Sequence, residues 1–93
     1  MIQVHVSGHL KDYTGKRRTF EISCNKAESV IGLINYLDEM FPGIKERILD
    51  DRDVIREYVN VFVNGEDVRF KEGECTKLKD KDQVHVLPSV AGG

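Results

Sequence analysis

Apolar and polar residues alternate from the start of the chain. Ile2, Val4 and Val6 are separated by Gln3, His5 and Ser7, and a period of two puts the apolar set on one face of an extended strand. A strand over 2–7 is expected. After a turn around Gly15, the stretch 18–23 alternates again through Phe20 and Ile22, so a second strand should fold back on the first as a hairpin. The period then lengthens. Asn25 and Glu28 have the spacing of a capping box, in which one side chain accepts from free amides at a helix start and the other reaches back. Val30, Leu33, Ile34, Leu37 and Phe41 follow at steps of three and four, a stripe along one face of a helix that Pro42-Gly43 ends. Ile44, Ile48 and Leu49 imply one more short helical turn, and the polar run 50–56 a surface loop. The stretch 57–63 alternates strictly, Asn64-Gly65 is a tight-turn signal, and Val68 and Phe70 continue the alternation on the far side as a second hairpin. Residues 71–82 are polar and turn-rich apart from Cys75 and Leu78, and Gln83 to Leu87 make the last strand. Pro88 has no N–H, so pairing is expected to stop there.

The order β-β-α-β-β-β predicts an α+β domain, a mixed sheet covered on one face by one main helix. The most economical topology is a β-grasp, with the first and last strands side by side and parallel in the middle of the sheet. One face stays uncovered. If Val59, Val61 and Val63 face the helix, then Tyr58, Asn60 and Phe62 point to the open face, and Leu87 joins them from the last strand. His5 and His85 take outward positions on strands that the topology makes neighbours. Residues 1–88 are expected to form the domain and 89–93 a flexible tail.

Composition narrows the classes. Ninety-three residues, 40% of them hydrophobic and 32% charged, suit one soluble globular domain with one modest core. No apolar run approaches the roughly 20 residues of a membrane span, and the N-terminus carries no secretory leader, so a cytoplasmic protein is expected. The net charge of −2, with both signs mixed along the chain, gives no general drive toward nucleic acid. The basic cluster Lys11, Lys16, Arg17 and Arg18 reads as a solvated hairpin tip. Cys24 and Cys75 are too few for a four-ligand metal site and are expected to behave as small buried hydrophobes.

Candidate chemistry is sparse. The chain has no phosphate-binding glycine loop, no zinc-protease motif and no nucleophile elbow, which points away from an enzyme. A metal pair at His5 and His85 lacks further ligands. The contiguous apolar groups on the open face suggest a partner surface instead. The remaining signal is the end, where a strand delivers LPSVAGG and the sequence finishes on Gly92-Gly93.

The strand order, the block NVFVNGEDVRF (60–70) and the ending VHVLPSVAGG (84–93) resemble the MoaD/ThiS-type ubiquitin-like sulfur carriers, and among them most the thiocarboxylate carrier of cysteine biosynthesis. The resemblance covers essentially the whole chain. It implies that Gly93 is the working group. An adenylating enzyme of the ubiquitin-activating type would use ATP and Mg²⁺ to activate the Gly93 carboxylate, and sulfur would then replace the adenylate to leave a thiocarboxylate. Val90, Ala91 and Gly92 would thread the tail into that enzyme, while Phe62, Leu87, His5 and His85 would dock the domain against it or against a sulfur-accepting enzyme. The acceptor would be a cysteine synthase or the molybdopterin synthase large subunit, with carriers for thiamin and tRNA thiolation sharing the same tail. The chain itself would hold no cofactor, bind neither nucleic acid nor membrane, and serve as a protein cosubstrate. Two other readings remain open: a ubiquitin-like modifier joined to lysines through Gly93, and a noncovalent β-grasp binding module.

Overall fold

The computed structural model describes residues 1–88. Strands β1 (Ile2–Val6), β2 (Thr19–Ile22), β3 (Val59–Val63), β4 (Glu66–Asp67) and β5 (Gln83–Pro88) form one sheet in the order β2-β1-β5-β3-β4. β1 and β5 run parallel at its centre, with His5 opposite His85 and Val6 opposite Val86. The other three pairings are antiparallel. Helix α1 (Val30–Met40) lies over one face and the short α2 (Ile44–Ile48) follows it. The expected mixed sheet with a covering helix is thus present, and the fold is a β-grasp.

Periodicity explains which face is buried. Ile2, Val4 and Val6, Phe20 and Ile22, Val59, Val61 and Val63, and Val84 and Val86 turn inward. They meet Val30, Leu33, Ile34 and Leu37 of α1 and Ile44 and Ile48 of α2 in one core. Each such side chain removed from water contributes about 1.5–3 kcal/mol. Helix α1 is therefore held by its apolar stripe rather than by its intrinsic propensity.

Four local expectations are corrected. The helix is capped by Ser29, whose Oγ accepts from the Gly32 amide at 3.1 Å, and not by Asn25. The Glu28 carbonyl accepts from the Leu78 amide and Ser29 bridges to Lys77, which holds the chain extended until Ser29 and delays the helix. The strand after Asn64-Gly65 stops at Asp67, because the Asp67 carboxylate accepts from the Arg69 amide at 2.8 Å and caps a 3₁₀ turn over Val68–Phe70. Val68 is buried, but Phe70 is 89% exposed. Cys75 is exposed on a second 3₁₀ turn (Gly73–Cys75), whereas Cys24 packs half-buried on the core, and both are free thiols. Finally, Pro88 is still opposite Val59 and ends β5 as its last residue, so the strand runs one position further than expected.

The connection from β1 to β2 is also more than a tight turn. It winds through a 3₁₀ turn (Gly8–Asp12) whose Leu10 is fully buried, then through Thr14, before reaching the exposed Lys16, Arg17 and Arg18. The basic residues sit at a solvated tip, where Lys16 pairs with Asp12 at 3.2 Å. At the far end, Asn64 and Gly65 adopt φ of 52° and 86°, the left-handed values a two-residue hairpin turn requires. The Asn64 amide nitrogen donates to the buried Asp82 carboxylate and its oxygen accepts from the Gln83 amide, which fixes where β5 begins.

Candidate functional site

Inward valines force their neighbours outward, so the open face of the sheet carries a row set by strand register. Thr19 on β2 faces His5 on β1, His5 faces His85 on β5, and His85 faces Phe62 on β3. Leu87, one step further along β5, faces Asn60. His5, His85, Phe62 and Leu87 are all half-buried, whereas Tyr58, expected on the same face, lies in the turn before β3, is 41% exposed and lines a cleft with residues of the 50–57 loop. The four residues expected on one face are therefore together on it, next to the end of β5.

The two imidazoles stack, with ring centroids 4.2 Å apart and planes within 7°. In-plane lone pairs of parallel rings project side by side and do not converge on one ion. Among the described residues no group of three or more histidine, cysteine or acidic side chains is arranged to hold a metal. Burial pushes the His85 pKa below its ordinary value, and the His5 charge adds to the same direction. The His5 Nε2 atom is closed off from solvent and has no hydrogen-bond partner among the described residues. Arg17 and Glu21 line a shallow cleft with His5 on the β2 side.

Across the sheet, Arg69 replaces the strand that β4 fails to continue. Its Nη2 donates to the carbonyls of Arg56 and Val59 at 2.7 Å each, and its Nη1 to the Asn60 side chain at 3.0 Å. The guanidinium thus covers the outer edge of β3 where β5 ends. Sequence reading missed this role, because Val68 and Phe70 let the stretch after the tight turn read as a continuing strand. A cleft of about 430 Å³ near Asp38, Lys45, Asp50 and Asp53 is a different matter. Its Asp38 and Asp50 accept from backbone amides, and Lys45 pairs with Asp53, so these groups serve to shape the loop.

Sequence reading missed Gly8 as well. Because β1 and β5 are parallel, the turn that leaves β1 and the exit from β5 are at the same end of the sheet. Gly8 has φ of +62°, and a Cβ built there would stand 3.0 Å from Pro88 Cγ. A serine-glycine pair ending a strand marks a turn, and the β-grasp topology would have placed that turn beside Pro88. The expected tail residues Val90, Ala91, Gly92 and Gly93 lie outside the described residues.

Residues 4–93 match the ThiS family. The chain belongs to that family. This ThiS-family chain is 34% identical over 94 residues to the sulfur carrier protein CysO of Mycobacterium tuberculosis, covering 99% of this chain and 98% of the relative. It is 38% identical over 61 residues to small archaeal modifier protein 3 of Haloferax volcanii, which covers 66% of this chain and 65% of that one. Its fold superposes on a chain of the Amycolatopsis orientalis BexX/CysO complex with a TM-score of 0.89 at 32% identity, covering 100% of both. The architecture of this ThiS-family chain is the ubiquitin-like β-grasp. Among the described residues no helix is long and apolar enough to cross a membrane.

Proposed function

We propose that this chain is a sulfur carrier, a protein cosubstrate whose C-terminal Gly93 carboxylate is adenylated and then converted to a thiocarboxylate. The observation that supports this reading most is the family match running through residue 93 on a fold in which β5 brings the chain to the sheet end at Pro88. A C-terminal carboxyl has an ordinary pKa of about 3.3–3.7, so at neutral pH it is an unreactive anion. ATP, bound with Mg²⁺ on an activating enzyme, would turn it into an acyl-adenylate and release pyrophosphate. Hydrosulfide attack on that carbonyl would then expel AMP and leave the thiocarboxylate. If the sulfur came as a persulfide, the product would be an acyl disulfide that a second thiol must cleave. Glycine at 92 and 93 leaves the acyl carbon uncrowded and its backbone free to adopt the φ and ψ values a narrow tunnel demands. Five residues beyond Pro88 reach about 17 Å at roughly 3.3–3.6 Å each. The domain can therefore dock outside an active site that the tail enters, with Phe62, Leu87, His5 and His85 as the docking face.

A cysteine synthase as the sulfur acceptor and the cytoplasm as the setting belong to the same proposal, whose carrier part is supported by the similarity to the sulfur carrier protein CysO. A second reading is favoured by the similarity to a small archaeal modifier: transfer of the same acyl-adenylate to a lysine amine. Intact-mass measurement on protein from its native cell separates the two. Exchange of one oxygen for sulfur at the C-terminus is the carrier result, and lysine-linked adducts are the modifier result. Deleting Gly93, or adding one residue after it, is expected to abolish ATP-dependent pyrophosphate release with the activating enzyme while leaving circular dichroism and melting unchanged. Normal turnover by the truncated chain would exclude both readings and leave the noncovalent module.

A further inference from the structure

We infer that Gly8 is a positioning residue for the C-terminal tail, acting through the ring of Pro88. Pro88 is held on two sides. On one it faces Val59 of β3, and on the other it lies against the turn that follows β1. That turn is itself anchored, since the Ser7 amide donates to the Val86 carbonyl at 3.3 Å and Leu10 is fully buried two residues beyond Gly8.

A Cβ at position 8 would meet Pro88 Cγ at 3.0 Å, Cδ at 3.7 Å and the Pro88 carbonyl oxygen at 3.8 Å. Carbon atoms in ordinary contact stand about 3.5–4.0 Å apart, so the proline must give by several tenths of an ångström. A proline ring is bonded to its own backbone at both ends. Whatever part of that shift a change of ring pucker at Cγ does not absorb is passed to the last residue of β5, from which the tail starts. A displacement there moves the point from which up to about 17 Å of tail starts. Reaction rates fall steeply when an acyl group is misplaced by about an ångström. Absence of a side chain at Gly8 thus sets where the tail leaves the domain. The consequence for catalysis rests on the carrier reading, but the geometry does not.

The test measures geometry and activity separately. Spin labels at Asn35→Cys on the exposed side of α1 and at Val90→Cys, with Cys24→Ser and Cys75→Ser, report the distance from the domain to the start of the tail. Gly8→Ala is expected to shift or broaden that distribution, Pro88→Ala to broaden it, and the double variant to stand closer to the parent than either single variant. In chains without labels, Gly8→Ala is expected to lower kcat for pyrophosphate release at least tenfold with KM unchanged. The double variant is expected to recover part of that loss. Additive distance effects, or a lowered melting temperature with an unchanged distribution, would overturn the inference, since left-handed backbone strain at Gly8 predicts that outcome. If Gly8→Ala does not fold, Pro88→Ala alone decides: an unchanged distribution overturns the inference. If no activating enzyme turns over the parent chain, the carrier reading fails, and the distance measurements still judge the role of Gly8.

Discussion

At the scale of single residues, the stacked histidines are the least ordinary feature of the open face. His85 has its pKa lowered from an ordinary 6.5, first by burial and then by the neighbouring His5. Arg17 and Glu21 line a shallow cleft with His5 on the β2 side, and Asp67 stands opposite Phe62 on the other. The sign of the linkage follows from the direction of the shift. Below pH 6.5 the unfolded chain binds a proton at this position more readily than the folded chain, so acidification favours unfolding. The parent is therefore expected to lose stability as the pH falls from 7.5 to about 5.5, above the range in which ordinary carboxylates titrate. In His85→Gln that slope should flatten. Urea midpoints at several pH values make the comparison, and identical slopes in the two proteins would show that the stack is not the titrating element. Asp50, whose carboxylate is held below its ordinary pKa by the amides of Val54 and Arg52, contributes only at lower pH. Its effect has the same sign, stability lost as pH falls, and does not confuse the window.

At the scale of elements, β3 is a strand whose outer neighbour gives out after two residues. Its exposed edge is closed by one guanidinium that donates to two main-chain carbonyls and a side-chain amide. Arg69→Ala should cost about 1–3 kcal/mol, read as a shift of the urea midpoint. Arg69→Lys should recover little, because a single ammonium cannot span the three acceptors as a planar fork does. Full stability in Arg69→Ala would mean that water replaces the guanidinium at no cost. The same element shows what was legible in the sequence. Val59, Val61 and Val63 alternate cleanly because one side of β3 meets the core, and the α1 stripe is equally clear because Leu33, Ile34 and Leu37 meet that core from above. What could not be read depends on contacts across the chain. Helix α1 starts at Ser29 because Glu28 and Ser29 are held by Lys77 and Leu78, far away in sequence. After Asp67 the arm leaves strand geometry because an aspartate side chain competes for the amide that the ladder would use. The open-face row was legible, since two alternating strands and a parallel central pair suffice to place His5, His85, Phe62 and Leu87 together. Gly8 was legible only as a turn beside the end of β5, because the contact that constrains it comes from a ring eighty residues later.

At the scale of the whole molecule, the parallel pairing of β1 with β5 concentrates the first turn, the open-face row and the exit of the tail at connected places on one side of the sheet. On the carrier reading proposed above, a partner that accepts the tail would approach this side and so also cover Leu87 and the ground around Phe62. Binding and reaction should then separate by residue. Phe62→Ala removes a large apolar group from the proposed docking face and does not alter Gly93 or Pro88. Loss of one such contact, worth about 1.5–3 kcal/mol, should raise the dissociation constant for the activating enzyme by roughly ten- to a hundredfold. On the same reading, the maximal rate of pyrophosphate release at saturating carrier should change little, since the acyl group that would be presented to ATP is the same. Thermal melting should also change little. Phe62 is half-buried on the uncovered face, whereas a phenylalanine from a closed core costs about 3–5 kcal/mol when truncated. Titration of the complex and a melt on the same sample test both halves of the expectation. Unchanged affinity would remove Phe62 from the docking face, and a collapse of the melting temperature would show that the row on the open sheet serves the fold and not the partner.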